Sequence, residues 1–176
     1  MNAAIPLPAD APPVPRLLGL RILLGVAALI EVGQGLWFVS DLLIPGYKAS
    51  GLDGAIARAH LAVHPVLALA ALLFVVIGRL REATILLGAL VLLTWVNEMP
   101  SVLQHGLDLR NSYTALQTVP QIIAFPLMAA CGIASAARHQ RPGMAAALVS
   151  IPTLFMVLFH AVSMVVFAIG VTMYGF

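Results

Sequence analysis

Glu31, His60, His64, Glu98 and His160 lie inside runs that are otherwise apolar. Imidazoles and carboxylates exchange protons and ligate metals, and ionisable groups placed in hydrocarbon are costly and usually functional. His60 and His64 are four residues apart, which puts both rings on one face of a helix. Two imidazoles so placed can share one transition metal, and the ligand type suits copper, zinc or iron. A b-type haem would instead take one histidine from each of two facing helices, with His64 and His160 as the pair. Met156, His160 and Met164 form a stripe at four-residue steps, which is either a soft ligand set for copper(I) or core packing. Glu31 and Glu98 read as further ligands, as partners that orient an imidazole, as proton relays, or as neutral carboxyls joining helices by hydrogen bonds. Gln34, Asn97 and Gln121 are the hydrogen-bonding groups expected around them.

These residues sit in a chain of 176 residues that is 61% hydrophobic and 9% charged, with a mean hydropathy of +1.03. Soluble domains carry about 25% charged residues. So little charge in so short a chain reads as an all-α integral membrane protein. The net charge of +2 gives no reason to expect a nucleic-acid partner, because the basic residues fall at span ends. Cys131 is the one cysteine, which excludes an internal disulfide and CxxC chemistry.

Five spans are predicted, at residues 17–39, 56–78, 83–102, 116–136 and 144–174, forming a single transmembrane domain over 17–176. Residues 1–16 are rich in proline and alanine and read as a cytoplasmic arm, since prolines forbid a helix there. Pro65 is expected to kink the second span, and Pro100 to end or bend the third. Gly19, Gly25, Gly33 and Gly35 offer close helix contacts in the first. Arg16, Arg21, Arg79, Arg81, Arg138 and Arg141 fall on one side, and Lys48, Arg58 and Arg110 on the other. That asymmetry places the N-terminus in the cytoplasm of a bacterial-type inner (cell) membrane and the C-terminus outside.

At 1.5 Å per residue, Glu31, Glu98 and His160 each lie about 20 Å from the cytoplasmic end of their spans, and His64 about 10 Å below the outer end of its own. In a hydrocarbon core about 30 Å thick, these form one layer in the outer half, with Gln34, His60, Asn97 and Gln121 slightly above. No basic residue lies deep in any span to neutralise Glu31. The expected function is therefore an outward-facing polar pocket binding a metal ion or haem. A redox-active ligand would pass electrons near the outer face, to a quinone. The alternatives are an accessory subunit without chemistry of its own, whose polar groups pair and leave no cavity, and a proton-coupled carrier or channel. Partners are the lipid bilayer and other membrane subunits or further copies of the chain. No hydrolase or nucleotide motif occurs, so neither an enzymatic activity nor a catalytic residue is assigned. Residues 21–38, RILLGVAALIEVGQGLWF, and the GRLRE turn at 78–82 resemble in layout the DoxX family of small redox-associated four-helix membrane proteins, over about half the chain. The resemblance implies a membrane helix bundle with a redox-linked role.

Overall fold

The computed structural model describes residues 14–43, 51–107 and 109–175. Its elements are α1 (Val14–Val39), a 3-10 turn (Ser40–Leu43), α2 (Gly51–Val76), α3 (Leu80–His105), α4 (Ser112–Val119), a π turn (Pro120–Ala124), α5 (Phe125–Ala137) and α6 (Pro142–Tyr174). No strand occurs among the described residues. Among the described residues, five spans are long and apolar enough to cross a bilayer: Leu18–Val39, Gly51–Val76, Leu80–His105, Ser112–Ala137 and Pro142–Met173. The chain is an α-helical multi-span membrane protein. Residues 1–13 of the expected arm, and 44–50 with Lys48, lie outside the described residues, and residues 14–16 already belong to α1.

Two helices continue through their prolines, and α3 runs three residues past the expected end at 102. α3 passes through Pro100 to His105, and α2 passes through Pro65. A proline inside a helix removes one backbone bond, but an apolar helix has no better alternative in hydrocarbon than to keep the others. The fourth span shows the compensation in detail. Pro126 has no N–H to offer the carbonyl of Ile122, and the ladder widens there into the π turn. The Trp95 indole N–H donates to that carbonyl at 3.0 Å.

The turns at one end share a form. Beyond α2, Arg79 N–H bonds Phe74 O at 2.8 Å across Gly78, whose φ is +83°. Beyond α5, Gln140 N–H bonds Ser135 O at 2.9 Å across His139, whose φ is +56°. Each is a helix stop with a left-handed residue after the last turn. The arginines at this end do more than mark topology. Arg21 donates to the Val76 carbonyl at the end of α2, and Arg81 to the Ala137 carbonyl at the end of α5. Cations there satisfy otherwise orphaned carbonyls and oppose the negative helix end.

The tightly packed core fills the half of the bundle nearest this basic end. It is built from Leu24, Ala27, Ala28, Ala68, Ala71, Val75, Ala83, Leu87, Leu90, Ala146 and Val149. Small residues let the backbones approach closely. A Cβ on Gly88 would lie 2.6 Å from the Ile133 side chain, and one on Gly132 2.7 Å from that of Val149. Further along the helices this packing gives way to cavities, and the polar residues begin there.

Candidate functional site

Glu31 lies at the boundary between the packed half and the open half, and is 7% exposed. Its carboxylate joins three helices. Oε2 lies 3.0 Å from His64 Nε2 on α2, and Oε1 accepts the Thr153 hydroxyl on α6 at 2.5 Å. His64 is also buried, at 6% exposed. Its other ring nitrogen, Nδ1, is buried and has no hydrogen-bond partner. That nitrogen faces Gly35, where a Cβ would lie only 2.8 Å away. Gly35 is thus the residue that lets α1 approach α2 closely enough for the pair to form. Gly25 makes only ordinary contact with Val75, and Gly19 and Gly33 have no neighbour within 4 Å. One of the four expected close-contact glycines therefore carries the close approach.

The tautomer follows from that geometry. A proton on Nδ1 would be a buried donor without an acceptor, which costs more than a bare nitrogen. The ring proton is accordingly assigned to Nε2, which donates to Glu31. Thr153 donates as well, so each carboxyl oxygen of Glu31 accepts one hydrogen bond.

Two cavities flank the pair. The larger, about 520 Å³, lies between α1, α3, the π turn with the start of α5, and α6. Glu31 and Thr153 form part of its wall together with Gln34, Glu98, Gln121 and His160, and with Trp37, Phe38, Trp95 and Phe125. The smaller, about 300 Å³, lies between α1, α2 and α3, and is lined by Gln34, Gly35, His60, His64, Asn97 and Glu98 among others. Gln34, Phe38, Thr94 and Glu98 border both. Glu31 borders the larger space and His64 the smaller, so their hydrogen bond crosses the partition between the two.

All eight residues singled out by type and depth therefore border one cavity or the other, but not all meet. Glu31 and His64 pair directly. His60 stacks on His64, with ring centroids 5.1 Å apart. Asn97 donates to its neighbour Glu98 at 3.4 Å. His160 turns its Nδ1 to the Met156 carbonyl at 2.7 Å, one turn back on its own helix. It borders the larger cavity while His64 borders the smaller, so the two histidines do not face each other across one space. The described residues contain no group of three or more His, Cys, Asp or Glu placed to hold a metal ion.

Thr153 escaped the reading of the sequence, although it lies in the same apolar run as His160 and follows Pro152, a usable signal. Trp37, expected at an interface from its span-end position, is 79% exposed and also lines the larger cavity with Trp95. Replacing Thr153 with valine keeps the shape and deletes the hydroxyl. The expected cost is about 1–3 kcal/mol, the range for a hydrogen bond to a charged group, read as a lower unfolding midpoint in mixed micelles. Trp95→Phe should cost a similar 1–3 kcal/mol by stranding the Ile122 carbonyl, and should slow hydrogen exchange nowhere while speeding it around the π turn.

No protein-family model, curated protein or solved structure matches the chain.

Proposed function

We propose that this protein binds a small organic molecule in the larger cavity and exchanges a proton at the Glu31–His64 pair as it does so, in the manner of a proton-coupled carrier. The observation that carries this reading is the buried carboxylate on the partition between two cavities. On one side it borders a space of about 520 Å³, within the size range of ligand pockets and walled by aromatic rings. On the other it is hydrogen-bonded to His64, which borders a second, more polar space. A ligand entering one cavity and a proton arriving through the other would compete for the same carboxylate. Net charge on Glu31 is costly in a bilayer, so occupancy by either one relieves it.

This arrangement favours a carrier over the other readings. A metal or b-type haem ligated by His64 and His160 needs both rings on one ligand, whereas they border different cavities. An accessory subunit needs no cavities at all. With the arginine-rich ends of the spans in the cytoplasm of a cell membrane, the cavities lie in the outer half of the bilayer.

The test is infrared difference spectroscopy of the protein in lipid nanodiscs on acidification. A protonated-carboxyl band should appear in the native protein, shift in frequency when the cavity probe 1-aminoanthracene is added, and be absent from Glu31→Gln. The same band persisting in Glu31→Gln would remove Glu31 from the proton's path and overturn the reading.

A further inference from the structure

We infer that the molecule taken by the larger cavity is a lipophilic organic cation, such as a quaternary ammonium or phosphonium carrying aromatic groups. The inference rests on the reading of that cavity as a binding site and deepens it by naming the ligand's charge and class.

Charge is the first argument. Both hydrogen bonds to Glu31 come from donors, Thr153 Oγ1 and His64 Nε2. His64 Nδ1 is buried beside Gly35 and has no hydrogen-bond partner. Glu31 therefore meets two hydrogen-bond donors and no basic side chain, and Glu98 on α3 adds a second carboxyl to the same wall. Among the described residues, no lysine or arginine lines either cavity. His160 donates Nδ1–H to the Met156 carbonyl on its own helix. A carboxylate in hydrocarbon needs a counter-cation, and none of the described side chains at this cavity supplies it.

The second argument decides what kind of cation. A bare metal ion needs several donors converging on one point, and the described residues hold no such group. What the cavity offers instead is aromatic surface. Trp37, Phe38, Trp95 and Phe125 line it, and tryptophan faces attract diffuse cations most strongly when water is excluded. An anion would meet two carboxyls and no basic partner. A neutral molecule would leave Glu31 uncompensated. A bulky, weakly hydrated organic cation answers both the charge and the aromatic walls, and it can reach the cavity from the membrane.

The chain has two tryptophans, and both touch this cavity, Trp37 from a largely exposed position, so saturable quenching of intrinsic emission above the empty-disc background reports its occupancy. The experiment titrates the whole protein in zwitterionic nanodiscs with tetraphenylphosphonium and, separately, with its anionic isostere tetraphenylborate, each corrected against empty discs. Saturable quenching by tetraphenylphosphonium is expected, about tenfold or more tighter than by tetraphenylborate. Glu31→Gln should weaken the cation by about tenfold. Glu98→Gln, which leaves the Glu31 hydrogen bonds intact, should also weaken it, and serves if Glu31→Gln folds poorly. Equal or tighter binding of tetraphenylborate, or cation affinity unchanged in both variants, overturns the cation assignment while leaving the cavity a binding site. Absence of saturable quenching by either ion and by 1-aminoanthracene removes the binding site itself, and this inference with it.

Discussion

Replacing His64 with alanine is expected to destabilise the protein by about 3 kcal/mol or more, the largest single effect at this site. Removing one partner of a buried hydrogen bond leaves the other group unsatisfied, at about 1–3 kcal/mol and more where that group is charged. Here the remaining group is Glu31, which would keep Thr153 as its one hydrogen-bond donor from the pair of contacts described. The alanine also leaves a void beside His60, whose ring stacks on that of His64, and voids of this kind add to the cost. A double-mutant cycle separates the terms. In the His64→Ala background, Glu31→Gln should recover much of the loss, because a neutral amide tolerates the missing partner. Replacing both residues with leucine should come close to the native stability, since replacing both partners of a buried hydrogen bond with apolar groups can be nearly neutral. The measurement is reversible unfolding in mixed micelles across the four variants of the cycle. Strict additivity of the two single changes would show that the pair contributes no coupling, and would remove the basis for treating Glu31 and His64 as one unit.

Gly35→Val is the second large effect, and it acts through geometry. A Cβ at this position would sit 2.8 Å from His64 Nδ1 and 3.0 Å from the Pro65 Cα. The imidazole cannot swing away without breaking its bond to Glu31, and the second neighbour is backbone. The helices must therefore separate, at about 2–3 kcal/mol for overpacking, and the Glu31–His64 contact must lengthen with them. Gly33→Val is the control, since nothing lies within 4 Å of its Cβ position. It should change stability by less than about 0.5 kcal/mol. The two variants should also differ in the carboxyl band of Glu31, which Gly35→Val alone should shift. If both variants behave alike, the close approach of α1 to α2 is not what holds the pair together.

The spans themselves were legible because a bilayer imposes length and polarity at once. Residues 17–39 were expected, and Leu18–Val39 is observed. The second helix begins at Gly51, five residues before the expected start at 56, because Asp53 in its first turn suits a helix N-terminus and outweighs the glycines that read as loop. The third passes its proline for want of any other partner for the backbone in hydrocarbon. At the site, the carboxylates and histidines could be named from residue type alone, whereas Thr153, Trp37 and Trp95 could not. A threonine or tryptophan in a membrane helix is common, and its role depends on the neighbouring helix it meets.

Depth along a helix is set by the residue count, since each residue advances the same 1.5 Å, so the sequence alone determined that the polar groups form one layer. Rotation about the helix axis and the order of neighbours depend on contacts between residues far apart in the chain. Only the tertiary structure could therefore decide that Glu31 meets His64 and Thr153, residues 33 and 122 positions away, while His160 turns back on its own helix. The physical reason is the close packing at Gly35, Gly88 and Gly132. A missing side chain there sets which faces approach, and hence which charges share a partition and which face a separate space.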